Sequence, residues 1–199
     1  MSSLYQQVAF FNEMEKLKTI TRQNKTLDGR FENSAEHSWQ LALMAILLQE
    51  HFPKTINLEL VLKMLLVHDM GEIGAGDTSV FDDAGKSTSY ARELESVKKS
   101  LSYLDDSDSE QLLNLWIEFE KGTSDEARFA RCVDAIAPLM NHLQIAEEND
   151  NPDDLTYNQV LSKKSFIAQE SDSLWQLTLD LLDASLEKGL YRDDRVKSV

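Results

Sequence analysis

Apolar residues recur at three- and four-residue intervals along most of the chain, which predicts a succession of amphipathic helices. Residues 4–20 carry Leu4, Val8, Phe11 and Leu17 at this spacing. Asn24, Asp28 and Gly29 then break the pattern, so 21–31 reads as a loop. Asn33-Ser34-Ala35-Glu36 has the form of a capping box opening a second helix. That helix continues through Trp39 and Leu41 to Leu48, and Pro53 ends it. Asn57 can cap a third helix, running from Leu58 to about Ile73 and stopping at Gly74-Ala75-Gly76. A polar loop follows through Lys86. Further helices are expected over about 89–104, from Ser107 to Gly122, and from Ser124 through Leu143. An acidic linker at 147–154 precedes two last helices, about 156–169 and 172–188, and the tail beyond Gly189 reads as loose. No stretch alternates convincingly with period two. The expectation is all-α: one domain over residues 1–199, a bundle of about seven or eight helices, with the last two packed on the rest.

Composition agrees and narrows the partners. Seven glycines and three prolines leave little punctuation for many short strands. The net charge of −15 argues against a nucleic-acid polymer, which needs a basic footprint. A phosphate site must then be local, built from a metal and a few arginines. One cysteine, Cys132, excludes an intramolecular disulfide and fits a reducing compartment, and its setting reads as a small core residue. No apolar leader pattern opens the chain, and no stretch reaches the roughly 18 apolar residues of a membrane span. These features make a cytoplasmic protein without a membrane partner the expectation.

The candidate chemistry centres on Leu65-Leu66-Val67-His68-Asp69-Met70-Gly71-Glu72, an apolar helical run ending in groups that bind metals or move protons. A His-Asp pair can also serve as a helix-end cap. In a buried helix, however, leaving it unpaired costs several kcal/mol, on the order of a lost ion pair. Glu72 lies one turn beyond His68 and faces the same side. Of the four histidines, His51 sits at a helix end, and His142 is displaced by about 80° from Asp134 around its helix. His37 follows a helix cap on an apolar helix. Asp134 lies among apolar residues four before Pro138, where a kink is expected; an exposed aspartate beside a kink is the alternative. Arg22 and Arg30 are candidate phosphate contacts or solvated loop arginines.

Asn33-Ser-Ala-Glu-His37-Ser-Trp, His68-Asp69-Met-Gly-Glu72 with Gly76-Asp77, and Asp134-Ala-Ile-Ala-Pro-Leu139 together resemble the H…HD…D signature of HD-domain metal-dependent phosphohydrolases. The likeness is nearer to the bacterial 5′-deoxynucleotidase branch and extends over about 15–143. It implies that His37, His68, Asp69 and Asp134 hold one divalent ion, for which manganese, cobalt, iron, nickel and zinc all suit the donors. It also implies that Glu72 and Asp77 handle the attacking water and the leaving group, and that Arg22 contacts phosphate. The tryptophan that follows this arginine in the nucleotidases is absent; Gln23-Asn24-Lys25 stands there instead. No further histidines are placed for a second metal.

The implied activity is release of phosphate from nucleoside or deoxynucleoside 5′-monophosphates. Hydrolysis of another phosphoester and a non-enzymatic metal- or nucleotide-binding sensor are the alternatives. Retention of both Glu72 and Asp77 favours catalysis, since binding alone does not need them. Relatives of this kind often dimerise. The stripe Leu174, Trp175, Leu177, Leu179, Leu181 and Leu182 is compatible with a homodimer and equally with packing on its own domain.

Overall fold

Capping side chains set where the helices begin in the computed structural model, which describes residues 3–195. The first helix, α1 (Ser3–Met14), tightens into a 3₁₀ turn over Glu15–Thr19. The predicted loop that follows is instead an antiparallel hairpin of β1 (Thr21–Lys25) and β2 (Phe31–Asn33), with Thr21 opposite Asn33 and Lys25 opposite Phe31. Its strands do alternate in burial, but the inward positions include Arg22, Asn24 and Glu32. An alternation carried by polar residues leaves no trace in hydropathy. The fold is mostly helical with this one small sheet.

The capping box at α2 (Ser34–Leu48) is complete. Asn33 accepts from the Glu36 amide at 3.0 Å, and the Glu36 carboxylate accepts from the Asn33 amide at 3.2 Å. Asn57 caps α3 (Leu58–Val67). The single helix expected to reach Ile73 is divided: a 3₁₀ turn spans His68–Gly71 and a short α4 covers Glu72–Ala75. Helix α5 (Asp83–Leu101) packs closely on this turn, where a Cβ on Gly71 would come within 2.6 Å of Glu93 Cβ. Gly76, at φ +75°, ends α4 in a conformation that side chains disfavour and turns the chain towards Asp77. Asp82 caps α5 through the Gly85 amide, so the helix starts six residues before the expected 89, in a polar stretch without apolar spacing.

The remaining helices are α6 (Asp106–Lys121), α7 (Asp125–Ile145), α8 (Tyr157–Lys164) with a 3₁₀ turn at Ser165–Gln169, and α9 (Asp172–Glu187). Helix α7 is central and packs on α2, α3, α6 and α9. Leu41, Val61, Leu65, Phe129, Val133 and Ile136 are fully buried around it, each burial stabilising by about 1.5–3 kcal/mol. A second cluster of Phe10, Val67, Met70, Val97, Leu101 and Trp116 joins α1, α5 and α6 to the His68 turn. Leu174 and Leu182 of the α9 stripe are buried in the chain's own core, with Trp175, Leu177 and Leu181 packed at its edge. Exposed apolar side chains occur on α1 and α2 among other places, Trp39, Leu43 and Leu47 included.

Cys132 is fully buried, and burial pushes its thiol up to about 12, so it is a packing residue. The tail expected to be loose is held as far as 195. Leu190 and Tyr191 are buried, and Arg192 exchanges backbone bonds with Leu155 and Tyr157. The rest of that expectation, 196–199, lies outside the described residues. Among the described residues no helix is long and apolar enough to cross a membrane.

Candidate metal centre

His37 sits in the first turn of α2, where the capping box fixes the helix entry and drives the imidazole into a fully buried position. Its Nε2 lies 2.9 Å from Asp134 Oδ1 on α7, and its Nδ1 lies 3.6 Å from Glu32 Oε2 on β2. His68 arrives from the apolar end of α3. Its Nδ1 meets the Leu65 carbonyl at 2.9 Å, which places a proton there and turns Nε2 towards the cluster. Trp116 Nε1 donates to the His68 carbonyl at 2.9 Å, and the Phe119 ring packs on the imidazole at 4.9 Å. His68 Nε2 stands 3.0 Å from Asp69 Oδ1 and 3.7 Å from Asp134 Oδ1. Helix α7 runs on through Pro138, and Asp134 projects from the turn before it.

One donor atom each from His37, His68 and Asp69 fall within 4.8 Å of one another, and Asp134 touches both imidazoles. His68 Nε2 is sealed from solvent with no well-directed hydrogen bond, a lone pair for which the protein supplies no donor. Two imidazoles and two carboxylates fit a divalent ion with positions left for ligands. Burial opposes charge on His68, but Asp69 and Asp134 outweigh it and raise its pKa to about 9. Burial likewise works against the Asp69 carboxylate, yet His68 and Arg22 hold its pKa down. Asp134, despite burial, is held well below the usual carboxylate range by its hydrogen bond to His37 and by His68.

The hairpin brings Arg22 in from the side. Its Nη1 lies 2.8 Å from Asp69 Oδ2 and 3.5 Å from Glu72 Oε1, and its Nε lies 3.8 Å from Glu32. Burial disfavours its charge, and the surrounding carboxylates more than restore it. Ser34 donates to Glu72 Oε2 at 2.5 Å. Burial first, then Asp69, push the Glu72 carboxyl up to about 8 against the pull of Arg22 and Ser34. Asp77, beyond the Gly76 turn, lies near enough for its charge to act on both Arg22 and Glu72. Among the described residues nothing hydrogen-bonds or ion-pairs with its carboxylate.

Arg30 is not brought in. Half exposed in the hairpin turn, it pairs with Glu36 at 2.6 Å and Asp28 at 3.5 Å, where it braces the α2 cap. His51 is exposed near Glu50, and His142 lies beside Tyr191; both are outside the cluster, as expected. Sequence reasoning missed Ser34 and Glu32. Ser34 was read only as part of a cap. Glu32, buried behind His37, lies between the loop expected over 21–31 and the cap at Asn33 and gave no signal.

A family model of the HD domain matches residues 14–175. The chain belongs to the HD-domain family. The crystal structure of a "predicted metal-dependent phosphohydrolase" from Magnetospirillum magnetotacticum MS-1 superposes with a TM-score of 0.88 at 34% identity and 96% coverage of each chain. Human 5′-deoxynucleotidase HDDC2 is 30% identical over 121 residues, 61% of this chain and 56% of that protein. Saccharomyces cerevisiae YGK1, also named a 5′-deoxynucleotidase, is 26% identical over 87% of this chain and 81% of that protein. The match spans less than two thirds of the length of the HDDC2 proteins, 59% for that of Danio rerio. The metal-dependent relative and the His/Asp cluster both point to a divalent metal in this HD domain.

Proposed function

We propose that this HD domain, a single domain over the whole chain, is a metal-dependent phosphomonoesterase that releases phosphate from nucleoside or deoxynucleoside 5′-monophosphates. The observation that carries the reading is the convergence of His37, His68, Asp69 and Asp134 beside two further carboxylates, Glu72 and Asp77. The first four hold one divalent ion; manganese or cobalt is our first choice. When bound, that ion supplies Lewis acidity, lowers the pKa of water and offsets phosphate charge.

The chain's own residues complete the chemistry. Glu72, kept protonated at neutral pH by its burial and by Asp69, gives a proton to the departing 5′-oxygen as the P–O bond breaks. The unpartnered Asp77 carboxylate takes a proton from the water whose oxygen attacks phosphorus. Ser34 and Arg22 fix Glu72 in place. The names of the HDDC2 and YGK1 relatives support the nucleotide assignment. One buried cysteine suits a reducing compartment, and we assign the protein to the cytoplasm. We assign a homodimer interface to the exposed Trp39, Leu43 and Leu47 stripe of α2 rather than to α9, whose Leu174 and Leu182 are buried.

The test is a phosphate-release screen of nucleoside monophosphates and other phosphoesters with each candidate metal. Release from 5′-monophosphates, lost in Asp69→Ala, is the expected result. Turnover of phosphodiesters alone, or of nothing, overturns the reading.

A further inference from the structure

The hairpin beside the cluster is not a regular ladder. Thr21 pairs with Asn33 and Lys25 with Phe31, so Arg22, Gln23 and Asn24 of β1 stand opposite Glu32 alone on β2. Extra residues on one strand bend it and re-aim its side chains, and such bulges are common next to active sites. Here the three residues serve three places. Arg22 reaches Asp69 at 2.8 Å, and Asn24 Nδ2 donates to the Pro138 carbonyl of α7 at 3.3 Å. Gln23 lines a cavity of about 560 Å³.

Two other segments wall this cavity. One is the loop that follows Asp77, through Ser79, Phe81 and Asp82; the other runs from Asp153 to Gln159 and Lys163 of α8. Phe81 also packs on the apolar cluster of Leu139, Tyr157 and Val160, which ties the Asp77 loop to α7 and α8. Pro138 and Leu139 follow Asp134 on α7 by about 6 and 7.5 Å along the helix axis. Both inner walls are thus fixed about one turn beyond a member of the cluster. The ribose of a nucleotide bridges a gap of this order between its 5′-phosphate and its base.

The lining suits a base and not a second phosphate. Asp82 and Asp153 set two carboxylates against one lysine, Lys163. Phe81 brings a half-buried ring. Gln159 Oε1 is spent on the Thr156 amide at 2.8 Å, but Gln159 Nε2 and the Gln23 amide have no hydrogen-bond partner among the described residues. Surface glutamines are often unpaired; these two line one cavity together with an aromatic ring. Side-chain amides match the donors and acceptors along a nucleobase edge, and an aromatic ring matches its π-face. The volume lies within the range of small-molecule sites, about 300–1,000 Å³.

We propose that this cavity holds the nucleobase of the substrate, with Gln23 and Gln159 bonding its edge and Phe81 covering its face. The assignment rests on the phosphomonoesterase reading for the phosphate end, and the base end is tested without phosphate.

The experiment is saturation-transfer NMR with deoxyadenosine, deoxyguanosine, deoxycytidine and thymidine titrated into the zinc-loaded protein, zinc being the candidate ion that leaves the spectra sharp. Wild type is compared with Gln23→Ala, Gln159→Glu and Phe81→Leu. Gln159→Glu removes the amide donor but keeps the acceptor that caps α8. Each glutamine variant should weaken nucleoside binding by about 2–10-fold, the loss of one hydrogen bond. Phe81→Leu, which keeps the apolar packing, should weaken it by about fivefold or more. The non-hydrolysable 5′-methylenephosphonate of the bound nucleoside should displace it from wild type. Circular dichroism checks that each variant is folded. Absence of nucleoside binding in wild type, unchanged binding in the folded variants, or a nucleoside that the phosphonate does not displace overturns the proposal. Wild type that binds nucleosides through these residues yet releases no phosphate refutes the hydrolase reading and leaves the base site standing. Phosphate release from 5′-monophosphates without nucleoside binding does the reverse.

Discussion

Replacing Glu32 tests whether the cluster is built around a metal, because this carboxylate touches none of the open positions. Glu32 Oε2 lies 3.6 Å from His37 Nδ1 and 3.8 Å from Arg22 Nε, and both Glu32 Oε2 and His37 Nδ1 are sealed without a hydrogen bond. When Nε2 binds a cation, the Nδ1 proton becomes more acidic and draws on the carboxylate behind it. Two full charges at this separation would interact by about 4–5 kcal/mol at an effective dielectric near 20. The imidazole carries only part of the metal's charge, so the contribution falls to about 1.4–2.8 kcal/mol, a 10–100-fold change in affinity. Glu32→Gln, which keeps an acceptor, should sit at the lower end and Glu32→Ala at the upper, by manganese titration calorimetry.

The metal-free protein should respond differently. Burial, the largest influence on Glu32, raises its pKa in spite of His37 and Arg22. A carboxyl whose folded pKa is raised loses stability as pH climbs from the ordinary carboxylate range through the folded value. Metal-free Glu32→Gln should therefore melt no lower than wild type at about pH 8. Wild-type manganese affinity in both variants, or a loss of metal-free stability that matches the loss of affinity, would refute the reasoning.

Other expectations follow from the same geometry. With His68 at a pKa of about 9 in the metal-free chain, binding an ion must displace its proton. Manganese affinity should thus rise about tenfold per pH unit between about pH 6.5 and 8.5, and a flat profile would contradict this. Glu72, raised to about 8, keeps its proton while the unfolded chain has lost it, so its stabilising effect drains away as pH rises from the ordinary carboxylate range to that value. The melting temperature of metal-free Glu72→Gln should accordingly gain on wild type as pH rises, and phosphate release should collapse in the same variant. Trp116→Phe strips the His68 carbonyl of its buried donor. It should cost about 1–3 kcal/mol in urea unfolding, and a change below about 0.5 would show that the bond matters little.

Most of the helices could be read from the chain because their cues are local: caps at Asn33, Asn57 and Ser124, and apolar spacing on one face. The clustering of His37, His68, Asp69 and Asp134 was legible through their motif context and the family likeness. What stayed hidden depends on contacts distant in sequence. The hairpin places polar residues inward, so Arg22 and Glu32 alternate in burial without an apolar signal. The split at His68–Gly71 falls where α5 packs closely on Gly71, a contact distant in sequence. The segment after Gly189 is pinned through Arg192, whose backbone bonds to Leu155 and Tyr157 no local pattern announces.

We propose that four side chains from α2, the α3–α4 turn and α7 form a centre for a single metal. Elemental analysis of protein stripped with chelator, reloaded with manganese and freed of excess ion measures this directly. One ion per chain in wild type and almost none in folded Asp69→Ala is the predicted result. Equal metal in the two proteins, or two ions per wild-type chain, would contradict it.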